Sequence, residues 1–207
     1  RKIAPSFLKR ADLPDRGMVT AKYMRDNRKP MREISTRITP SNTMVSPPCK
    51  KVTLIDYWPK NELDIIPEML FSECHQPLER IREEVAKLSE EMKSKIFDTY
   101  IGTRQNRRHK PGRALEKAHY EWQITADYGT FRDLQRHRAV DMMEWQRLTA
   151  AYGYDVPKLV IEAGMEEMFR NCFELSEDLY KLLNDAGFEE EAQYATLLGH
   201  RMRYRFM

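Results

Sequence analysis

Prolines constrain the first quarter of the chain more than any other feature of the sequence. Six of the eleven prolines lie within residues 1–51. Proline lacks a backbone N–H and moves the preceding residue out of the helical region, so such a stretch does not form a regular packed layer. The sequence therefore predicts an extended arm over residues 1–51 with one short helix near residues 19–27. A folded domain is expected over residues 52–207.

The charge is divided in the same way. Residues 1–51 contain 13 Lys and Arg against 4 Asp and Glu, a balance of +9, whereas residues 52–207 have a balance of -6. A basic arm favours an acidic partner, which is nucleic acid, an anionic membrane surface or an acidic protein face. A solvated linker is the alternative.

Composition excludes several classes of protein. The whole chain contains 41% hydrophobic and 10% aromatic residues, which is enough apolar material for a core that a disordered chain lacks. No apolar run approaches the ~18 residues that a membrane span requires. Three scattered cysteines predict neither disulfides nor a metal site. We therefore expect a reducing compartment, which is the mitochondrial matrix or the bacterial cytoplasm, and, because Arg1 is the first residue, a processed or partial chain.

The folded part is predicted to be α+β, with a small, mostly antiparallel sheet packed with helices. Alternating and β-branched residues predict strands at residues 52–58 and 120–125. Apolar residues three and four apart predict helices. The predicted helices cover residues 61–73, 77–88, 89–100, 131–137, 156–163, 166–183 and 189–203. No internal repeat of fixed period is present.

Two basic clusters are candidates for phosphate binding. The first is the loop at residues 103–113, which contains Arg104, Arg107 and Arg113. The second has three arginines and one histidine within two helical turns. Guanidinium groups bind phosphate in a bidentate fork and stack on flat rings. The members of the second cluster are Arg132, Arg136, His137 and Arg138.

The order of these features resembles the flavin-dependent thymidylate synthase (ThyX) family. In that family, Leu-Glu precedes an aromatic-rich strand, and an arginine lies four residues ahead of Arg-His-Arg. Leu115, Glu116, Trp122 and Arg132 occupy the corresponding positions here. The final helical segment is also similar, except that Gln193 replaces an arginine. The matching residues are Tyr180, Leu182, Leu183, Gly187, Glu191 and Ala192. The resemblance covers residues 52–207 and is closest to the divergent second half of long, two-domain members.

The family's signature motif is only partly kept. It reads Arg-His-Arg, two spacers, Ser, one spacer, Asn-Glu, one spacer, Ser, one spacer, Arg-Tyr. Arg136, His137, Arg138 and Glu144 match it. The other five positions depart from it. Asp141 and Gln146 replace the serines, Met143 replaces the asparagine, Leu148 replaces the arginine and Thr149 replaces the tyrosine.

The resemblance implies both a cofactor and a loss of function. Flavin adenine dinucleotide (FAD) is the implied cofactor, held by the second basic cluster. Arg104, Arg107, Arg113 and Glu144 are the candidate substrate-binding residues. An acidic Asp141 repels a nucleotide phosphate, and Leu148 removes a donor. No catalytic residue is therefore assigned.

Three functions remain open at this stage. We expect a catalytically inactive relative that serves as a structural or binding subunit of a larger assembly and contacts protein partners through its arm. Homo-oligomers are expected because family members are tetramers. The alternatives are an active FAD-dependent thymidylate synthase or related nucleotide-modifying flavoenzyme, and a module that binds the phosphate backbone of nucleic acid.

Overall fold

Alternation of polar and apolar residues produces the sheet on which the rest of the domain is arranged. The computed structural model describes residues 17–39, 51–138 and 140–207. Its strands are β1 (Val52–Trp58), β2 (His119–Asp127), β3 (Met143–Trp145) and β4 (Arg201–Phe206). All neighbours are antiparallel, in the order β1-β2-β4-β3. The predicted α+β class with an antiparallel sheet is confirmed.

Seven α-helices accompany the sheet within the described residues, together with four short 3-10 turns. The helices are α1 (Met18–Ile38), α2 (Ile66–Phe71), α3 (Leu78–Ala86), α4 (Glu90–Ile101), α5 (Tyr128–Leu134), α6 (Lys158–Glu162) and α7 (Glu166–Asp185). The 3-10 turns are Glu62–Ile65, Arg113–Lys117, Ala150–Tyr152 and Glu191–Ala195. None of the described helices is long and apolar enough to cross a membrane.

The chain consists of two compact units, Arg1–Ser46 and Pro47–Met207. The described part of the first unit is mainly α1, which has no buried residue. A helix of 21 residues replaces the short helix predicted at residues 19–27, and it continues through Pro30. A single interior proline weakens a helix by ~3 kcal/mol without ending it when good helix formers flank it. The other arm residues, 1–16 and 40–50, lie outside the described residues.

The second unit contains two hydrophobic clusters of buried side chains, and Phe173, Ala192 and Ala195 are buried outside them. The first lies among α2, α3 and α4 and consists of Ile65, Ile66, Met69, Ile81 and Val85. The second lies where α5 crosses β4. Phe131, Met202 and Tyr204 form that second core. Every other residue of β4 points into it, because side chains alternate across a strand.

The last predicted helix, residues 189–203, is wrong. A 3-10 turn at Glu191–Ala195 is followed by β4, which pairs with both β2 and β3. The segment from Arg201 to Phe206 alternates basic and apolar residues, and pairing on both sides favours the strand. The helix predicted at residues 131–137 is shifted toward the N-terminus. Asp127 caps it as α5, since its carboxylate accepts from the backbone N–H of Thr130 at 2.8 Å.

Candidate functional site

The second basic cluster follows the end of α5. Phe131 is buried and fixes the helix, whereas Arg132, Arg136, His137 and Arg138 are all exposed. The four side chains therefore belong to one short segment, as predicted. Their role in cofactor binding stays a prediction.

Two members of this cluster keep their positive charge available. Arg132 and Arg138 have no ion-pair partner among the described residues, whereas Arg136 forms an exposed ion pair with Asp133. Exposed pairs of this kind contribute little to stability and exchange readily for another anion. The cluster thus presents guanidinium donors of the type that binds a diphosphate.

The loop arginines lie in a different part of the domain. The Nε of Arg104 donates to the carbonyl of His109 at 2.7 Å, which closes the loop on itself. Arg113 pairs with Glu116, and that carboxylate raises the pKa of the guanidinium. Arg107 is exposed. Within the described residues, no hydrogen bond or ion pair joins this loop to the cluster after α5.

A close contact attaches the loop to α4. A Cβ at Gly112 would lie 2.0 Å from the Tyr100 hydroxyl oxygen, so any larger residue there would displace the end of the Tyr100 side chain. The same hydroxyl accepts from the backbone N–H of Ala114 at 3.1 Å. The loop is therefore anchored to the first core, and the two predicted phosphate-binding clusters are not shown to form one site.

Glu144 contributes to an ionic network on the polar face of the sheet. Its carboxylate accepts from Nε and Nη2 of Arg205 at 2.9 and 2.6 Å. The Nη1 of Arg205 donates to Glu121 at 2.8 Å. Glu144 raises the pKa of the Arg205 guanidinium through this hydrogen bond. The Arg205 guanidinium on β4 compensates the carboxylates of Glu121 on β2 and Glu144 on β3. The Glu144 carboxylate is therefore already hydrogen-bonded to another side chain of the protein.

A groove of about 240 Å³ lies beside this network. Gln123, Gln146 and Arg203 contribute to its walls together with Glu144 and Arg205. The guanidinium of Arg203 lies 4.7 Å from the ring centre of Tyr152, a cation-π contact. Sequence reasoning missed this network. The alternating arginines of residues 201–205 are the signal for it, but the helix predicted over residues 189–203 includes Arg201 and Arg203.

The residues at the five altered signature positions support the fold. Met143 and Leu148 pack against the second core. The amide of Gln146 accepts from the Tyr152 hydroxyl at 2.6 Å. The Thr149 hydroxyl accepts from the backbone N–H of Ala151 at 3.1 Å. Finally, the backbone N–H of Asp141 donates to the carbonyl of Met207 at 3.1 Å.

Leu148 replaces an arginine of the signature motif, Gln193 replaces an arginine of the final helical segment, and the two residues contact each other. The Gln193 side-chain oxygen accepts from the backbone N–H of Leu148 at 3.2 Å. The Leu148 side chain is packed against Phe131, Met202 and Tyr204 as one of the partly buried residues around them. Neither position provides a guanidinium group.

A solved structure shares this fold. The UMP/dUMP methylase PolB of Streptomyces cacaoi, bound with 5-Br dUMP, has a TM-score of 0.55 and 16% identity over 75% of this chain and 70% of its own. ThyX of Helicobacter pylori, complexed with FAD and dUMP, has a TM-score of 0.47 and 18% identity over 76% of this chain and 77% of its own. The chain has an α+β fold similar to that of the methylase.

Curated relatives carry the name UPF0159 protein. One from Chlamydia pneumoniae is 30% identical over 207 residues, which is 99% of this chain and 38% of the relative. One from Chlamydia muridarum is 42% identical over 111 residues, 54% of this chain and 21% of the relative. No protein-family profile matches the sequence. The chain spans less than two fifths of the length of these relatives.

Proposed function

We propose that this chain is a catalytically inactive domain related to flavin-dependent thymidylate synthases and acts as a structural or binding subunit of a larger assembly. The observation that carries this proposal is the contact between Leu148 and Gln193. Two positions that hold arginine in the family instead hold a core side chain and a neutral amide that accepts its neighbour's N–H.

The energetic consequence concerns the nucleotide phosphate. Losing one charge-assisted contact costs roughly 1.5–3 kcal/mol, and a nearby like charge such as Asp141 adds to that cost. Two such changes weaken nucleotide binding by on the order of a thousandfold. The chemistry of the family needs the nucleotide held against the flavin, so we expect no turnover.

Flavin binding is a separate question. Arg132, Arg136 and Arg138, with His137, supply donors that suit the diphosphate of FAD. These four residues are exposed in the single chain, so a second protein surface would have to close such a site. The flavin would supply redox chemistry, while these side chains would bind and orient its phosphates.

The deciding assay is turnover by the purified chain. It receives FAD, reduced nicotinamide cofactor, methylene-folate and dUMP, and thymidylate is measured. We expect no product from the unmodified chain, and product formation would contradict the proposal. The Asp141→Ser/Leu148→Arg double variant is assayed in parallel. Gain of activity in that variant alone would support the proposal most strongly.

Colour separates a flavin-binding subunit from one that has lost the cofactor as well. If the cluster after α5 binds flavin, a chain purified in the presence of FAD is expected to show an absorption band at about 450 nm. Arg132→Ala together with Arg138→Ala should then remove the band. If the chain is colourless and does not bind added FAD, its role is restricted to a structural one.

An active nucleotide-modifying enzyme is the second candidate. Arg132 and Arg138 favour it, because neither has an ion-pair partner among the described residues. Arg138 belongs to the matched part of the signature, and Arg132 lies four residues ahead of that part. The methylase with the same fold is named for action on UMP and dUMP. The turnover assay distinguishes the two candidates directly.

A further inference from the structure

Strand β1 lies at one edge of the sheet and has an unpaired outer side. Within the described residues, β2 is its sole neighbour in the strand order. The carbonyl of Lys51 accepts from the backbone N–H of Thr125 in β2 at 2.8 Å. Hydrogen bonds to one neighbour alternate along an antiparallel strand, so Val52 and Leu54 direct their N–H and C=O groups away from β2. These groups form a row to which another strand can bind.

The side chains along this edge are apolar and exposed. Val52 is 53% and Leu54 is 40% exposed, and Ile55 is exposed as well. Val52, Leu54 and Tyr57 register with alternate residues of β2, so they share one face of the sheet. A long apolar edge strand of this kind is a template for pairing with a further strand.

The partner of this edge has to be a strand. A helix such as α1 already uses its interior N–H and C=O groups within itself, so it cannot complete the hydrogen bonds of β1. The opposite edge of the sheet is β3, which has three residues against seven in β1. Pairing of β1 with β3 of another copy would leave most of β1 unpaired and would continue as an open chain of copies. Pairing of β1 with β1 uses the whole edge and closes.

We propose that β1 of one copy of this chain pairs antiparallel with β1 of a second copy, around a twofold axis at Leu54. The pairing joins two four-stranded sheets into one continuous sheet. Leu54 then lies opposite its own equivalent, and Val52 lies near Tyr57 of the second copy. Contacts between β-branched and aromatic residues on neighbouring strands stabilise a sheet.

Charge and the bulge in β1 are both compatible with this pairing. Asp56 forms an ion pair with Lys60, and Lys51 forms one with Asp155. With the axis at Leu54, the two Asp56 carboxylates are offset along the strands by four residues, or about 13 Å, so they do not face each other. The bulge follows Leu54, so the outer groups of Val52 and Leu54 keep their direction.

The inference goes beyond the proposed function, because it involves none of the residues assigned to flavin or nucleotide binding. Turnover by the chain would leave it unaffected, and a monomeric chain would leave the loss of nucleotide chemistry unaffected. The two proposals therefore fail separately.

A charge exchange at Leu54 tests the pairing, because this residue meets its own equivalent on the axis. Sedimentation velocity over a concentration series of the 207-residue chain is expected to show a dimer. Leu54→Lys places two ammonium groups opposite each other and Leu54→Glu two carboxylates, so each variant should raise the dissociation constant by about tenfold or more. An equimolar mixture of the two variants should form a mixed dimer that is about tenfold tighter than either variant with itself.

Leu159→Lys and Leu159→Glu are the matched controls, since Leu159 is exposed on α6. They should leave the dissociation constant unchanged, alone or mixed, and unchanged circular dichroism would show that all the variants fold. A chain that stays monomeric at every concentration would overturn the proposal, and this is the result expected if another segment of the same chain covers β1. A dimer that tolerates both Leu54 substitutions, or that the mixture fails to restore, would overturn it as well.

Discussion

Gln193 and Leu148 are 45 residues apart in the sequence, yet a hydrogen bond of 3.2 Å joins them. The sequence identifies Leu148 as a departure from the signature motif and Gln193 as a departure from the final helical segment, but it gives no reason to connect them. Their contact depends on how β3 and the Glu191–Ala195 turn meet beside the second core. At this scale, two residues that differ from the ThyX pattern make contacts within the fold.

Leu148→Arg is therefore expected to destabilise the domain. The guanidinium would have to enter the partly apolar contact with Phe131 and Tyr204, which costs roughly 1–3 kcal/mol in the free energy of unfolding. Urea denaturation measures that change. Leu159→Arg is the control, because Leu159 is 77% exposed and its replacement should change stability by less than about 0.5 kcal/mol. Equal effects of the two substitutions would contradict the assignment of Leu148 to the core.

His200 is the buried titratable residue with the clearest consequence. It is 1% exposed, its Nδ1 accepts from the backbone N–H of Leu197 at 2.9 Å, and its ring lies 4.7 Å from that of Phe173. Burial lowers the pKa of His200 below its ordinary value of 6.5. Below pH 6.5 the unfolded chain takes up a proton that the native imidazole resists, so the stability falls as the pH falls.

His200→Asn should remove part of this pH dependence. Asparagine keeps an acceptor for the Leu197 N–H but does not titrate, so its free energy of unfolding should fall less between pH 7 and about pH 5 than that of the unmodified chain. Denaturant titrations at each pH give the comparison. The exposed His137 provides the control, as His137→Asn should leave the original pH dependence in place. An unaltered slope in His200→Asn would count against a neutral, buried imidazole.

At the scale of elements, β4 shows why some assignments failed. Strand β1 and helix α7 were predicted well because their periods and their flanking breakers are local properties of the sequence. Strand β3 has three residues, too few to show a period. Strand β4 forms because β2 and β3 pair with it on both sides. Helix α1 was underestimated because one proline was given more weight than the helix formers around it.

Gly199, just before β4, sets how closely this strand approaches α7. A Cβ at this position would lie 2.7 Å from the ring of Phe173. Gly199→Ala should therefore lower the free energy of unfolding by roughly 1–3 kcal/mol. Thermal unfolding measures the effect.

A double-mutant cycle separates this clash from other effects of the alanine. Phe173→Leu removes the ring that the methyl group would meet, so Gly199→Ala should cost less in that background. If the cost is the same in both backgrounds, the close approach of Gly199 to Phe173 is not its cause.

At the scale of the whole molecule, the α+β class with an antiparallel sheet was accessible from the periodicity of the sequence. Only some residues of the candidate site could be predicted from the sequence. The cluster after α5 is continuous in sequence, so spacing was enough to find it. The network of Arg205, Glu121 and Glu144 joins three strands, so it required the sheet pairing. The chain has a fold similar to that of the methylase PolB, and the residues at its altered signature positions make contacts within that fold.

Nucleotide binding tests this account most directly. Isothermal titration of the purified chain with dUMP, in the presence and absence of FAD, measures whether a phosphate-binding set persists. Because two contacts are replaced and an acidic group is added, we expect no saturable binding below about 1 mM. A dissociation constant in the micromolar range, lost in Arg136→Ala, would contradict the account and establish a working nucleotide site.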